Sequence, residues 1–400
     1  MDDWDRKHEE DTEDLENDIR QEFLDAILKA AALVTLIRAF RKEKPFSFDD
    51  YPATSENLRS LLNRLSSQIG SLISAAVVSQ WDLANSKNDS LSDSILGKRK
   101  DDLGKPEKSM YYARNAEAMK VFQQRRIDGL DLSQRVWNLT RQFRQEIELG
   151  IDIALRDGLS ASQTARRLRR YLNEPERLFR RVRDEHGVLR LSQAARAYHP
   201  GQGVYRSSYK NARRLAATET NIAYRTADYL RWQQLDFVVG IEISLSNNHT
   251  CNGEPFYDIC DELKGRYPKD FKFTGWHPLC RCIAVPVLKT ETEMSGDTEK
   301  ILKGERPGTD SRNAVKDVPD KFRKWIEDNK ARIARSRSLP YFMRDNEKYV
   351  PQVNVTDAAL KRAQASQAVN DEIMKAGGEA ACVAAVAATF ALFISCRHAI

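Results

Sequence analysis

Apolar residues that recur at steps of three and four constrain the fold of this 400-residue chain more than any other feature. One such stripe runs from Leu15 to Phe40, and a second runs from about Ser55 to Ala84. Because this spacing puts the apolar side chains on one face of a helix, both segments are predicted to be long amphipathic helices. Further helices are predicted at about 109–126, 132–156 and 207–234. The Ser-, Asp- and Lys-rich span from Asn85 to Pro106 is predicted to be an exposed loop.

The pattern changes after Leu235, where the sequence FVVGIEISLS is rich in β-branched residues and partly alternating. The residues predicted to share one face of this strand are Val239, Ile241, Ile243 and Leu245. The segment CIAVPVL is a second candidate strand, and Pro286 predicts an edge position because proline cannot donate a ladder hydrogen bond. The predicted fold class is therefore α+β, a mostly α-helical body with a small β-containing Cys/His module in the second half.

Residues that end or begin helices indicate where the regions of the chain meet. Gly158 is predicted to end one helix, and Ser160 with Gln163 three residues later forms a predicted capping box for the next. A polar stretch after Leu288 resembles a linker. These features predict four regions: a helical N-terminal region with an acidic start (1–157), a central module (158–290), a linker with short helices (291–346) and a C-terminal helical tail with an apolar end (347–400).

The net charge of +6 is distributed unevenly. The first eighteen residues contain ten acidic and two basic side chains, whereas the segment from Arg156 to Arg214 contains fifteen Lys/Arg and five Asp/Glu, about +10. A basic stretch of this kind suits a polyanion such as DNA, bound without sequence preference. Solvated faces of Arg-rich helices are the alternative interpretation. The candidate DNA- or partner-binding residues are Arg166, Arg167, Arg169, Arg170, Arg180, Arg181, Arg213 and Arg214.

The acidic start of the chain has no apolar stretch, so it does not predict a secretory signal peptide. A reducing cytosol is then the expected compartment, where clustered cysteines indicate metal binding before disulfides. At the other end, the stretch from Ala380 to Cys396 is uncharged but a little short for a membrane span of about 20 residues. A packed terminal helix is therefore predicted there.

The segment GWHPLCRC (Gly275 to Cys282) places a His and two Cys close together, and two more Cys lie upstream. Cys280 and Cys282 are two residues apart, so on an extended strand both thiols point the same way. Zinc prefers four Cys or His ligands in a tetrahedron. The candidate ligands of a structural zinc ion are Cys251, Cys260, His277, Cys280 and Cys282, with His249 as a further candidate.

Two other interpretations of this segment remain open. In the first, the cysteines are small buried apolar residues in a compact corner, and His277 hydrogen-bonds a carbonyl group. In the second, the segment is catalytic: either His249, Asp261, Glu262 and His277 form a hydrolytic metal site, or His277 activates Cys280 as a nucleophile. No third, orienting group can be named for either reaction, so no catalytic residue and no enzymatic activity are predicted.

Two segments of this sequence resemble one protein family. RLAATETNIAYRTADYLRW (Arg214 to Trp232) is similar to the Thr-Glu-Thr helix, and GWHPLCRCIAVPVL is similar to the His-Pro-x-Cys-Arg-Cys ending, of the phage head-morphogenesis or minor head protein family, often called Mu-F-like. The strand and the acidic DICDELKGRYP segment stand between them in the family's order. The resemblance extends from about Gly158 to Leu288. Its structural motif residues are Thr218, Glu219, Thr220, Pro278 and Arg281.

The resemblance implies a phage or prophage protein that acts in procapsid and head assembly at the portal vertex. The implied partners are portal and capsid or scaffold proteins, with packaged DNA as a non-specific contact and no small-molecule substrate. The implied location is the bacterial host cytoplasm during assembly and then the virion head. A membrane-active or toxin-like effector carried on such a module is the alternative, as is a metal-dependent hydrolase. Within the motif, we expect Glu219 to pair with an arginine such as Arg281, since a buried carboxylate needs a partner.

Overall fold

The structure is a computed structural model of the whole chain. It describes residues 3–37, 40, 44–174, 181–191, 205–246, 249–251, 254–303, 305–336, 338–350 and 355–395. Within these ranges, the side chains are described except at 99, 106–107, 181–183, 189, 191, 250–251, 255 and 379–395.

Helices account for most of the described chain, as the apolar spacing predicts. Their bounds are α1 Asp3–Ala32, α2 Pro52–Leu96, α3 Lys105–Tyr111, α4 Ala116–Gln124, α5 Leu132–Asp157, α6 Ala161–Asn173, α7 Ser208–Gln234, α8 Ile259–Leu263, α9 Glu291–Leu302, α10 Asp320–Asp328, α11 Lys330–Ala334, α12 Tyr341–Arg344 and α13 Asp357–Ser395. The strands are β1 Arg181–Arg183, β2 Leu189–Leu191, β3 Val238–Ser244, β4 Thr250–Cys251, β5 Glu254–Pro255, β6 Gly265–Tyr267 and β7 Ile283–Leu288. The predicted α+β class with a mostly helical body is confirmed.

The chain divides into two compact units, each assembled from separated stretches. The first unit contains residues 1–10, 77–129 and 218–400, and the second contains residues 11–76 and 130–217. Helices α1, α2 and α7 contribute residues to both units. The contiguous domain boundaries predicted from the sequence stay predictions.

The second unit has a helical core that matches the predicted apolar stripes. On α1, Phe23 is fully buried and packs edge-to-face against Phe143 of α5, with ring centroids 5.1 Å apart. Both predicted helix boundaries here are confirmed: Gly158 ends α5 in a left-handed conformation, and Ser160 and Gln163 form the capping box of α6. A buried carboxylate, Glu146, accepts hydrogen bonds from the backbone and hydroxyl of Ser208 at the start of α7.

The first unit contains a three-stranded antiparallel sheet in the order β6-β3-β7. β3 is central and mostly buried, because Ile241 and Ile243 point into the core. β7 lies at an edge, as Pro286 predicts, and pairs with β3 through Ser244 opposite Ile283. An aromatic cluster that includes Tyr267 and Trp276 fills the space beside the sheet. This packing holds the Cys/His segment against the sheet.

The predicted exposed loop from Asn85 to Pro106 is wrong. Helix α2 continues through this span to Leu96, and a 3₁₀ turn follows at Gly97–Asp101. Asn85 and Asn88 are fully buried, and their side-chain amides hydrogen-bond to backbone carbonyls one turn earlier and to other polar groups of the first unit. These polar side chains point into the protein interior. The span therefore has the amino-acid composition of a loop although its backbone is helical.

The C-terminal helix α13 begins at Asp357 and includes the uncharged stretch through Ser395. The predicted terminal helix is therefore confirmed in the backbone, although the side chains beyond 378 lie outside the described ones. Among the described residues, no helix combines the length and apolar character that a membrane crossing requires.

Candidate metal centre

The turn from Gly275 to Cys282 is shaped by an unusual backbone. Gly275 has φ +120°, and a Cβ atom there would lie 3.2 Å from the Cβ of Cys280. Leu279 has φ +64°, a left-handed conformation that is uncommon for a residue with a side chain. The amide of Cys280 donates a hydrogen bond to the carbonyl of His277 at 3.1 Å and closes the turn. The backbone therefore brings the thiol of Cys280 and the ring of His277 to the same side.

The third thiol comes from the short helix α8. Asp258 precedes this helix and forms a capping box with Asp261, so that its carboxylate accepts a hydrogen bond from the amide of Cys260 at 2.8 Å. This cap fixes the first turn of α8 and directs Cys260 inward, where it is 2% exposed. The acidic segment DICDEL thus positions one thiol and places carboxylates next to it.

The thiols of Cys260, Cys280 and Cys282 form one buried cluster, which we call the thiol centre. Their sulfur atoms all lie within 4.8 Å of one another, and those of Cys260 and Cys280 are 3.8 Å apart. A tetrahedron with Zn–S bonds of about 2.3 Å has S···S edges of about 3.8 Å. The thiol centre can therefore hold a metal ion of this size with little rearrangement.

His277 stands next to the thiol centre with one ring nitrogen facing it. Its Nε2 is 3.1 Å from the sulfur of Cys260, and its Nδ1 is 2.8 Å from the carbonyl of Pro278. An Nδ1–H that donates to a carbonyl leaves the Nε2 lone pair available, which is the arrangement common for histidines that bind metals. Asp258 lies 3.3 Å from the same Nε2. Either side chain can supply the fourth ligand after a small movement.

The three thiols influence one another's protonation. Hydrogen bonds from Cys260 and Cys282 lower the pKa of Cys280 well below its usual range, although burial opposes this shift. Hydrogen bonds with Cys280 and Cys282 raise the pKa of Cys260. The cluster thus favours one thiolate, on Cys280, and a thiolate is the form of cysteine that binds a metal.

A second group of possible ligands borders this centre. His249, Asp258 and Asp261 bring their ligand atoms within 4.8 Å of one another, and the His249 ring is 3.0 Å from the carboxylate of Asp261. Asp258 belongs to both groups of ligands. Burial raises the pKa of Asp261, but a backbone hydrogen bond from Asp258 and the contact with His249 together outweigh burial and lower it.

The structure assembles four of the five predicted metal ligands. Cys260, Cys280 and Cys282 form the thiol centre, and His277 touches it through Cys260. The fifth candidate, Cys251, belongs to β4, but its side chain lies outside the described ones. The cysteines that the spacing grouped therefore lie together within the described residues, and their binding of a metal stays a prediction.

The Thr-Glu-Thr motif lies on α7, as predicted, and Glu219 is 1% exposed. Glu219 pairs with an arginine, as expected, and the partner found is Arg125 at 2.7 Å; Arg281, the example suggested by the sequence, is exposed. Arg125 follows α4 and its guanidinium stacks on the ring of Phe122, 3.5 Å from the centroid. The sequence could not indicate this pairing, because Arg125 is distant in the chain and lies outside the family resemblance.

The predicted basic residues fall into two groups. Arg166, Arg167, Arg169 and Arg170 are all exposed on α6, and of these Arg167 pairs with Asp157 at 3.0 Å. Arg213 instead pairs with Glu16, and Arg214 is partly buried. Arg180 lies outside the described residues, as does the side chain of Arg181. Among these candidate residues, only the arginines of α6 form an exposed basic face within the described residues.

Sequence analysis missed a set of charged residues that is buried in the first unit. We call Asp5, Lys87, Arg225 and Asp228 the ionic network. The amine of Lys87 binds the carboxylate of Asp228 at 2.5 Å, and Arg225 lies 3.3 Å from Asp5 and 3.6 Å from Asp228. Arg225 also donates to the carbonyl of Cys282 at 3.0 Å, which connects the network to the thiol centre. The available signal was the charged residues of RTADYLRW, which alternate with apolar residues along α7.

No protein-family model matches this chain, and neither a curated protein nor a solved structure was found to be significantly similar to it. The geometry of the site, the charges of the surface and the sequence motifs therefore carry the functional argument. Within the described residues, the thiol centre is the densest group of metal-ligating side chains, since its three sulfurs are buried and mutually close.

Proposed function

We propose that this chain is a phage or prophage minor head protein that acts in head assembly at the portal vertex. In this proposal, the thiol centre holds a structural zinc ion that closes the module from about Leu235 to Leu288. The chain is made in the bacterial host cytoplasm and ends in the virion head. It contacts portal and capsid or scaffold proteins, and it has no turnover of its own.

One observation supports this proposal above the others: the two segments that resemble the family meet in one core. Asn221 of the Thr-Glu-Thr helix donates to the carbonyl of Thr274 at 3.0 Å. Arg225, one turn further along α7, donates to the carbonyl of Cys282 at 3.0 Å. Direct hydrogen bonds between two segments that are distant in sequence are expected if both belong to one module.

The ligand set supports a structural ion over a catalytic one. Three cysteines with His277 or Asp258 complete four protein ligands, so that no position is left for a reactive water. The sulfurs are also buried, with Cys282 only 3% exposed. A closed and buried centre of this kind contributes to folding, because its ligands are brought together only in the folded chain.

The exposed arginines of α6 support a contact with DNA or another polyanion. Arg166, Arg169 and Arg170 have no ion-pair partner among the described residues, so their charges are available to phosphates. We expect binding that ignores sequence and weakens with salt, with a log–log slope of about −0.9 for each phosphate contact. Replacing these three arginines with Gln should reduce that slope, whereas Arg213→Gln should not. Equal slopes for both variants would exclude α6 as the contact.

Deletion of the gene from the phage or prophage that encodes it tests the proposed function directly. We expect defective or empty heads after deletion, and mass spectrometry should detect the chain in heads from the intact phage. A plasmid copy with Cys280→Ser should fail to restore heads, since it removes a zinc ligand, whereas Cys382→Ser, a thiol from the other cysteine group, should restore them. Normal heads after deletion, or heads without the chain, would refute the assembly role.

A further inference from the structure

A cavity of about 420 Å³ lies in the first unit, away from the thiol centre. Its walls come from the end of α4 and the loop after it, from α7, from the segment around Lys272, and from α12 and α13. This volume is in the range of ordinary small-molecule sites, which are about 300–1,000 Å³. Nothing in the proposed assembly role assigns a ligand to it.

Cations dominate the polar part of the cavity wall. Its charged residues are Arg125, Arg126, Lys272, Arg344, Lys361 and Arg362 against Asp128 and Asp345. Three of the cations have carboxylate partners: Arg125 pairs with Glu219, Arg344 with Asp345, and Arg362 with Asp128. The other three, Lys272, Arg126 and Lys361, have no ion-pair partner among the described residues. The wall therefore carries positive charge that the protein itself does not balance.

Lys272 is the most informative of these cations, because it is only 5% exposed. Its amine donates to the side-chain oxygen of Asn370 at 2.7 Å, which is a neutral partner. The Asn370 amide donates in turn to Asp345 at 3.0 Å. A buried ammonium group that forms no direct ion pair costs free energy, and that cost is reduced when an anion binds beside it.

The remaining polar features also suit an anion. Burial lowers the pKa of Lys272, the arginines on the wall lower it further, and the charges of Asp345 and Asp371 oppose this shift. The cations on the wall outnumber its two carboxylates, which favours a positive potential in the cavity. Thr226 lines the same wall, is 1% exposed, and has a hydroxyl without a hydrogen-bond partner among the described residues.

Apolar side chains also contribute to the wall. Phe122 and Ile373 are buried residues that line it, together with Ile222 and Val369. An inorganic ion would leave this surface uncovered, whereas a ligand with an apolar body would cover it and be held by its anionic end. Three unbalanced cations match a phosphate group, which carries nearly two charges, better than a carboxylate, which carries one.

We propose that this cavity binds a small organic phosphate, with its phosphate near Lys272 and its apolar part against Phe122 and Ile373. The ligand is bound and is not a substrate, so the site adds to the assembly role without depending on it. Arg126 and Lys361 are exposed and sit at the rim, where they complete the charge around the phosphate.

Isothermal titration calorimetry on the full chain tests this site with four probes that differ in one feature each. Phenyl phosphate carries both the phosphate and the apolar body, inorganic phosphate lacks the body, benzyl alcohol lacks the charge, and phenylacetate has a carboxylate. We expect phenyl phosphate to bind at least about tenfold more tightly than each of the other three. No saturable binding of phenyl phosphate at millimolar concentration would overturn the proposal, and equal binding of phenylacetate would overturn the phosphate assignment.

Variants locate the binding in this cavity. Lys272→Met should weaken phenyl phosphate binding at least about tenfold, because it removes the buried charge at nearly constant volume. Lys324→Met, at an exposed lysine of α10 that does not line the cavity, is the matched control and should bind as the unchanged chain does. Lys361→Met should weaken binding about threefold. Because Lys361 is exposed at the rim, this substitution tests the site without disturbing the packing of the core. Unchanged affinity in both Lys272→Met and Lys361→Met would refute the site.

Discussion

The thiol centre and the ionic network are two polar clusters buried in the same unit, but they differ in what completes them. The ionic network contains two acids and two bases, so the chain supplies its own counter-charges. The thiol centre contains three sulfurs, and in the proposed function a metal ion supplies the positive charge that balances their thiolates. Arg225 touches both clusters. Under the proposed function, the thiol centre depends on a ligand, whereas the ionic network does not.

Removal of the metal is predicted to have the largest effect. If zinc is bound at a thousandfold excess over its dissociation constant, it stabilises the fold by about 4 kcal/mol. A chelator should therefore lower the melting temperature of the unchanged chain steeply, and atomic emission should find one zinc ion for each chain before treatment. Cys280→Ser should show both losses without a chelator, whereas Cys382→Ser should show neither. A metal-free protein with the same stability would leave only the compact-corner interpretation.

Asp228→Ala should come next, because it leaves Lys87 and Arg225 buried without this counter-charge. Burial by itself lowers the pKa of Lys87, but its acidic neighbours, of which Asp228 contributes most, together outweigh burial and raise it. Removing one partner of a buried ion pair costs about 3–5 kcal/mol in free energy of unfolding. Urea titration measures this cost, with Asp310→Ala at an exposed position of the same unit as the control.

The effect of Asp228→Ala should persist in the presence of a chelator, since the network has no metal. If the chelator abolished the difference between the variant and the unchanged chain, the two clusters would be one cooperative centre. In that case the distinction between ligand-dependent and self-complete sites would fail for this molecule.

The third prediction concerns the loss of stability at low pH, which we assign to His8. His8 is 7% exposed, stacks on Tyr224 at 4.3 Å between ring centroids, and its ring nitrogen Nδ1 contacts the side-chain oxygen of Gln80 at 2.6 Å. Burial and then the charge of Arg225 lower the pKa of His8 to about 4. Between about pH 6.5 and 4 the unfolded chain binds a proton that the folded chain does not, so stability falls as the pH falls.

This pKa difference corresponds to a loss of about 3 kcal/mol on going from pH 7 to pH 4. His8→Gln should remove that part of the pH dependence in chemical denaturation, measured with chelator present so that metal ligands do not contribute. His186→Gln, at a 75%-exposed side chain, should leave the slope unchanged. A slope that survives in His8→Gln would assign the acid sensitivity to other groups.

The same contrast explains what the sequence could predict. The cysteines of the thiol centre lie in one short stretch of sequence, and helix periodicity and cap residues such as Ser160 are local signals. The sequence alone could therefore predict these features. The ionic network joins residues 5, 87, 225 and 228, and a single sequence carries no signal that these positions meet. The span after Asn85 was misjudged for the same reason, because buried polar side chains resemble loop composition until their distant partners are known.

Substitution of Glu219 is predicted to have the smallest effect on stability. The sequence could predict part of this site but not all of it. The motif identified this carboxylate as a structural residue, but its partner Arg125 could be seen only in the fold. Glu219→Gln keeps an oxygen acceptor for Arg125 and removes the charge, so we expect a loss of about 1–2 kcal/mol in free energy of unfolding. Glu117→Gln breaks an exposed pair with Lys120 and should cost at most about 1 kcal/mol.

Arg281→Ala tests the sequence-based expectation that Glu219 pairs with Arg281. If Arg125 is the partner, Arg125→Ala and Glu219→Gln should be strongly non-additive in a double-mutant cycle, whereas Arg281→Ala and Glu219→Gln should add. Equal costs for Glu219→Gln and Glu117→Gln would mean that the buried position gives this pair no advantage over an exposed one. Additivity with Arg125 would break the assignment of the partner itself, because two groups in contact at 2.7 Å cannot be replaced independently.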